Sequence, residues 1–270
     1  MARNLRPTRP APRSAPRTAW GWAWAGALAG VLPAVVGFAP AHWLAGGVAR
    51  ATQGQVQLLQ PRGTVWTGSA QLVLTGGQAS KDSAALPGRV DWQLRPTWGG
   101  LRARLQAGCC TPEPLQAQVH LRWAGPQITL ADGQSQWPAA LLAGLGTPWN
   151  TLQPQGQLAL QTRALAVQWA AGRMVLSGQA QLDARAMSSR LSTLRPMGSY
   201  RLVLQGGEVP TLALSTLDGA LQLSGSGQWV GNRLRFAGEA SAAPEREAAL
   251  SNLLNIIGRR NGARSIITVG

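Results

Sequence analysis

Adjacent cysteines, Cys109 and Cys110, are the residues in this sequence with the most distinctive chemistry. No other cysteine is present to pair with them. Thiols tend to pair in an oxidising compartment outside the cytoplasm. The alternatives there are a vicinal disulfide, a bond to another chain, or two free thiols on opposite faces of a strand. The spacing excludes the redox chemistry of a C-x-x-C motif.

The two histidines, His42 and His120, lack the neighbours that a metal site requires. Neither has a cysteine, histidine or carboxylate at ligand spacing. The ten acidic residues are isolated along the chain, and no nucleophile elbow, phosphate-binding loop or dinucleotide fingerprint occurs. The sequence therefore predicts a protein that is not an enzyme and that has no metal site and no cofactor.

The charge distribution indicates a topology signal rather than nucleic-acid binding. The formal net charge is +15, yet no acid precedes Asp82 and five arginines fall in the first 18 residues. The other basic residues are scattered along the chain, without a basic helix or an aromatic RNA-binding motif. The five topology arginines are Arg3, Arg6, Arg9, Arg13 and Arg17.

An uncharged segment from Trp20 to Pro40 comes after these arginines and is long enough to cross a hydrocarbon core of ~30 Å. The positive-inside rule keeps the N-terminus in the cytoplasm and exports the chain beyond the segment. We predict a cytoplasmic tail at 1–19, an uncleaved transmembrane signal anchor at 20–41 and an exported domain at 42–270. Cleavage around Ala39–Ala41, as in a signal peptide, is the alternative. The predicted aromatic anchors at the membrane interface are Trp20, Trp22, Trp24, His42 and Trp43.

The stretch LQLSGSGQWV at 221–230 alternates between an apolar and an uncharged polar face, which predicts a half-buried β-strand. Gly231-Asn232 suits a tight hairpin turn. The resulting register places Gly227 opposite Phe236, where a glycine would leave room for the ring. The predicted sheet-packing residues are Gly225, Gly227, Trp229, Leu234 and Phe236, with Trp229 opposite Leu234, Gly225 opposite Gly238 and Leu223 opposite Ala240.

A second turn at Asp218-Gly219 extends this hairpin to a three-stranded meander over 211–240. That turn predicts three further pairs on the same face. They are Thr216 with Leu221, Leu214 with Leu223, and Leu212 with Gly225.

Alternating segments continue through most of the exported part and predict an all-β protein. We expect an antiparallel meander, in an elongated curved sheet or a sandwich, with a helical turn at 138–149. A recurring submotif, TVWTGSAQL and MVLSGQAQL, suggests two related halves at about 50–143 and 155–270. The other predicted strands are 55–59, 64–74, 89–94, 101–106, 115–123, 128–131, 157–161, 164–169, 173–183 and 200–205.

Near the C-terminus, PEREAALSNLLNIIG predicts a short amphipathic helix over 244–258. Pro244 suits its first turn and Gly258 its end. Its apolar stripe should pack on the sheet, and 266–269 should form a last strand. The stripe consists of Leu250, Leu253, Leu254 and Ile257.

The ordered set of motifs resembles the type II secretion system protein N family. The motifs are RGTVWTGSA, GTPWNTL, SSRLSTLRPMGSYRL, STLDGALQLSGSGQW, RFAGEAS and LLNIIGRRNGARSI. The resemblance implies a single-pass protein of the cell inner membrane, with its bulk in the periplasm. It implies an accessory or scaffold role beside other secretion-system subunits and inner-membrane lipid, in a machine that moves folded proteins across the outer membrane.

The β-rich part also resembles the AsmA-type proteins, which are associated with lipid transport. That likeness makes an envelope lipid-binding protein the alternative function. An apolar trough open to solvent would favour lipid, whereas a filled core with an exposed edge would favour a protein partner.

Overall fold

The computed structural model describes residues 19–122, 125–170, 173–231 and 233–270. The chain divides into two compact units, Met1–Ala39 and Pro40–Gly270. Some predicted features lie outside the described residues, so their roles stay predictions. These are the topology arginines Arg3, Arg6, Arg9, Arg13 and Arg17, the end of a predicted strand at Trp123, and the turn residue Asn232.

The described part of the first unit contains the helix α1, which spans Ala19–Gly37 and includes Pro33. Trp20, Trp22 and Trp24 are exposed on it. Among the helices of the described residues, none combines the length and the apolarity needed to cross a membrane. The transmembrane anchor at 20–41 therefore stays a prediction.

The second unit consists of a large sheet with short helical segments. Its described residues include three α-helices: α2 (Ala41–Ala51), α3 (Trp149–Leu152) and α4 (Glu247–Ile257). Turns of 3-10 helix at Ala139–Leu145 and Pro244–Arg246 precede α3 and α4. The helical turn near 138–149 and the C-terminal helix are thus found where the sequence predicts them, whereas α2 was not predicted.

The described residues form sixteen strands in one sheet, and every pairing is antiparallel. The sheet order is β1-β2-β4-β5-β6-β7-β9-β10-β11-β12-β13-β14-β16-β15, with β3 paired to β2 and β8 to β9. The strands are β1 Val56–Gly63, β2 Thr67–Thr75, β3 Ser83–Ala85, β4 Val90–Thr97, β5 Gly100–Ala107, β6 Leu115–Arg122, β7 Gly125–Leu130, β8 Gly133–Pro138, β9 Gln155–Ala170, β10 Arg173–Ser188, β11 Gly198–Gly207, β12 Thr211–Gly219, β13 Leu221–Val230, β14 Arg233–Ala242, β15 Arg259–Asn261 and β16 Arg264–Val269.

This architecture confirms the antiparallel all-β class, as a meander in one sheet rather than two packed sheets. The predicted strands 157–161 and 164–169 are a single strand, β9, which stays continuous through Ala164 at φ 46°. Gly178 of β10, at φ 81°, lies beside that irregularity. The two related halves remain a prediction.

The hairpin of β13 and β14 has the predicted register, with Gly227 opposite Phe236 and Gly225 opposite Gly238. For the preceding hairpin, of β12 and β13, the register predicted from the sequence is wrong by two residues. Leu214 pairs with Gly225, instead of with Leu223. Because the shift is an even number of residues, every side chain keeps its face.

Tertiary hydrogen bonds cause the shift. Asp218 and Gly219, predicted to form the turn, instead belong to β12 and pair with the start of β11. The backbone N–H groups of Ala220 and Leu221 donate to the Met197 carbonyl oxygen at 2.9 and 3.1 Å. These bonds hold the chain at the start of β11 and outweigh the local preference of Asp-Gly for a two-residue turn.

A side chain completes the shifted pairing. The Thr216 hydroxyl donates to the Leu223 carbonyl oxygen at 2.9 Å and accepts from the Leu223 N–H at 2.6 Å. The backbone groups of Leu223 therefore stay bonded although β12 no longer pairs with them.

In the described part of the chain, buried side chains form three clusters where helical segments cover one face of the sheet. α4 covers β14–β16, the 139–145 turn covers β2, β3 and β9, and α2 covers β1 and β2. The stripe of α4 predicted to pack on the sheet does so, and each fully buried leucine contributes roughly 1.5–3 kcal/mol relative to an exposed one. The clusters centre on Leu250, Leu253, Leu254, Tyr200 and Leu221; on Leu86, Val90, Cys110 and Leu141; and on Ala41, Ala70 and Trp92.

Candidate functional site

Cys109 and Cys110 lie in the turn between β5 and β6, joined as a vicinal disulfide. Cys110 is buried and packs against Leu141, whereas Cys109 is exposed. Thr111 closes the turn, because its hydroxyl accepts from the Ala107 N–H at 2.8 Å. The surroundings of the pair are therefore those of a packed turn.

The histidines lie apart. His42 is exposed on α2, while His120 is half-buried in β6, where its Nε2 lies 3.3 Å from the Gln118 side-chain oxygen. The described residues contain no group of three His, Cys, Asp or Glu side chains that could hold a metal ion.

Trp43, predicted at the membrane interface, lies in the first turn of α2 and is exposed, with its ring 6.4 Å from that of His42. It lines a shallow apolar groove together with Leu44, Val48 and Val65. This groove belongs wholly to the second unit.

The five predicted sheet-packing residues share one face, but the space for the Phe236 ring comes from other glycines than predicted. A Cβ built on Gly225 would lie 2.5 Å from Phe236 Cζ, and one on Gly238 would lie 2.9 Å from Phe236 Cε1. A Cβ on Gly227 would meet the Arg235 carbonyl oxygen at 2.7 Å. The ring thus lies diagonally over Gly225 and Gly238, because a strand side chain leans along the strand.

Between the three covered regions, the apolar face carries half-buried side chains. One row runs across β5, β6, β7 and β9, and another across β11, β12 and β14. We call these residues the open apolar stretch: Leu101, Val119, Ile128, Val167, Leu204, Leu212 and Phe236.

The opposite face is polar over β9–β13, and it carries uncharged amides and hydroxyls together with the charged residues Arg163, Asp183, Arg185 and Arg201. Paired residues form a continuous row of amide and hydroxyl side chains across β10 to β13. We call this the glutamine-rich face: Gln161, Gln179, Gln181, Gln205, Thr211, Ser224, Ser226 and Gln228.

Asp183 is a charged group on this polar side that sequence reasoning missed. Its side chain is 3% exposed and accepts from Arg201 Nε at 2.7 Å and Nη2 at 2.9 Å, with Arg185 at 3.5 Å. The hydrogen bonds from Arg201 lower the pKa of Asp183 below its ordinary value of 3.8, although burial opposes them. The ion pair joins β10 to β11 with bidentate geometry, and the signal available in the sequence was the opposite charges on two predicted strands.

A family model supplies the deciding comparison. The model of type II secretion system protein N matches residues 54–267. The chain belongs to the type II secretion system protein N family. The comparisons with curated proteins and with solved structures found no match.

The match to the protein N family begins just before β1 and ends within β16, so it includes both faces of the sheet, the cysteine pair and α4. It thereby confirms the resemblance carried by the ordered motifs. The family identifies the protein as a component of type II secretion and associates it with protein transport.

Proposed function

We propose that this protein is a non-enzymatic accessory subunit that scaffolds the type II secretion machinery and assists the transport of folded proteins from the periplasm across the outer membrane. The family match over 54–267 is the observation that carries the proposal. The sheet supports the non-enzymatic part of the proposal. Its most buried carboxylate, that of Asp183, forms an ion pair with Arg201 between two strands. The partners are other secretion-system subunits and the lipid of the inner membrane.

The proposed location is the inner membrane, with a single crossing at 20–41, the N-terminus in the cytoplasm and the sheet in the periplasm. The uncharged sequence of the segment and the exposure of Trp20, Trp22 and Trp24 support an anchor.

A topology experiment tests this location. A reporter active only in the periplasm, fused after Gly270, should be active. Replacement of the five topology arginines by glutamine should scramble the orientation. If only a reporter that works in the cytoplasm were active at this position, both the orientation and the proposed location would be contradicted.

The glutamine-rich face is the proposed contact surface for another subunit. Uncharged amides and hydroxyls can bind a polar partner without the desolvation cost of charges. Ser224→Arg combined with Ser226→Arg, at two exposed positions of β13, should abolish copurification of the partner and secretion while leaving the melting temperature unchanged. Thr193→Arg, in an exposed loop, is the matched control. Normal copurification and secretion by the double variant would exclude this face.

The open apolar stretch favours a second candidate function, namely lipid binding of the AsmA type. Half-buried leucine, valine and phenylalanine side chains could contact acyl chains. Mass spectrometry of lipid extracted from the purified protein would test this. A Leu212→Asp variant should carry less phospholipid than wild type, whereas Ser226→Asp, on the opposite face, should not. Equal lipid content in both variants would rule this function out.

A further inference from the structure

Besides the β1–β2 connection, five hairpin connections lie at the same end of the sheet because the strands are antiparallel. The connections β4–β5, β6–β7, β9–β10, β11–β12 and β13–β14 all turn there, as the pairs Thr97 with Gly100 and Val230 with Arg233 illustrate. We call this end of the sheet, with its five turns, the tip end.

Each of these turns exposes a large hydrophobic side chain in the turn or next to it. Trp98 is fully exposed and Leu121 is 72% exposed. A soluble surface commonly shows scattered apolar residues, but here they recur at successive turns along one end. The five side chains are those of Trp98, Leu121, Trp169, Val209 and Val230.

The charges described at the tip end are mainly basic. Arg95, Arg102, Arg233 and Arg235 are exposed there, against the single acid Glu208. Their backbones belong to the strand ladders, but within the described part of the chain their guanidinium groups take part in no side-chain hydrogen bond or ion pair. Exposed tryptophan beside unpaired arginine is the composition that suits an anionic membrane interface.

The chain also enters the second unit at this end. Pro40 forms a β-bridge with Thr64, in the turn between β1 and β2. That turn lies on the tip side of the sheet, since Leu94 of β4 donates to the Trp66 carbonyl oxygen just before the β4–β5 turn. The apolar groove of Trp43 and Val65 is beside the same entry point.

We propose that the tip end docks on the surface of a bilayer that contains anionic phospholipid. Trp98, Leu121 and Trp169 insert at the level of the headgroups, and Arg95 and Arg102 bind lipid phosphate. The sheet then stands on the membrane by its turns and leaves the glutamine-rich face free for another subunit. The docking rests on the membrane anchor proposed above.

Lipid-borne quenching of site-specific labels tests the docking in the full-length chain. The chain is reconstituted in vesicles of phosphatidylethanolamine and phosphatidylglycerol, with an NBD fluorophore on one cysteine in a Cys109→Ser/Cys110→Ser background. Three variants are compared: Trp98→Cys at the tip end, Leu217→Cys as an exposed control at the opposite end, and Trp22→Cys in α1.

Doxyl-labelled lipid should quench the labels at 98 and 22, with blue-shifted emission, but not the label at 217. A quenched label at 22 with equal, weak quenching at 98 and 217 would overturn the docking and leave the anchor standing. An unquenched label at 22 would overturn the anchor itself. Shielding of the label at 98 from aqueous iodide without lipid quenching would indicate a second copy of the chain and would also overturn the docking.

The charge requirement is tested in the same vesicles. Arg95→Gln combined with Arg102→Gln should lower the ratio of docked to undocked protein about thirtyfold, at roughly one membrane-surface charge interaction lost per arginine. Arg190→Gln combined with Arg195→Gln, two exposed arginines away from the tip end, is the matched control. Equal loss in the two double variants, or no loss in the first, would overturn the assignment of an anionic lipid surface.

Discussion

The contact between the Phe236 ring and Gly225 gives a sharp test of the packing on the apolar face. Gly225→Ala adds one methyl group, whose position lies 2.5 Å from Phe236 Cζ and 2.8 Å from the Cα of Gly238. Alanine in place of glycine within a strand would otherwise gain roughly 0.5–1 kcal/mol. Overpacking costs about 1–3 kcal/mol, so the variant should be less stable than wild type.

A double-mutant cycle separates the ring from the backbone. Phe236→Leu removes the aromatic atoms that crowd the new methyl group but leaves the approach to Gly238 unchanged. The cost of Gly225→Ala should therefore be smaller in the Phe236→Leu background, by about 0.5–1 kcal/mol. The exposed neighbour Ser226 supplies the control, since Ser226→Ala on the opposite face should change stability by no more than about 0.5 kcal/mol.

Thermal unfolding of the full-length chain in detergent measures these differences. After the glycine-to-alanine gain is subtracted, the net loss is up to about 2.5 kcal/mol, which corresponds to a melting temperature lower by up to about 10 °C for a domain of this size. A higher melting temperature for Gly225→Ala, or costs that simply add in the double variant, would refute the position assigned to the ring.

Three further predictions compare variants by the same unfolding measurement, and the second of them also uses the intact mass of the wild type. Asp183→Asn should lower the melting temperature at pH 7, because Arg201 lowers the pKa of Asp183 in the folded state. The ion pair contributes fully above the ordinary value of 3.8, and its contribution is lost as the pH falls through the pKa of the folded state, so the difference in melting temperature between variant and wild type should shrink in acid. A difference that does not change with pH would contradict this. Cys110→Ser should leave the fold intact, since the disulfide closes almost no loop, and the intact mass of the wild type should lack both thiol hydrogens; the mass of a dithiol or of a covalent dimer would refute the pairing. Gly227→Val should cost about 1–3 kcal/mol whereas Gln228→Val, exposed on the other face, should cost little, and equal small shifts would show that the register is wrong.

Local sequence predicted the elements whose signal is a repeating pattern. Alternation along 221–230 was enough to assign a strand and its faces, because the side-chain period is two and one face is buried. The Gly231-Asn232 turn signal then predicted its pairing with β14. The amphipathic stripe of α4 was equally predictable from its helical spacing.

The candidate surfaces were only partly predictable. The apolar and the uncharged polar face of β13 follow from alternation, but the exposure of Trp98 and Leu121 depends on which turns meet at one end of the sheet. Asp183 and Arg201 have no local motif in common, and antiparallel pairing of β10 with β11 is what places them opposite each other.

The sequence by itself therefore determined the antiparallel β class, the faces of its strands, the C-terminal helix and the membership of the protein N family. Tertiary structure alone decided the register of β12 on β13, because hydrogen bonds from Ala220 and Leu221 to Met197 compete with the local turn. It also decided which glycines accommodate Phe236, since the direction of a ring along a strand is set by neighbours on the partner strand. Local preferences are worth fractions of a kcal/mol to about 1 kcal/mol per residue, and several tertiary contacts acting together exceed them.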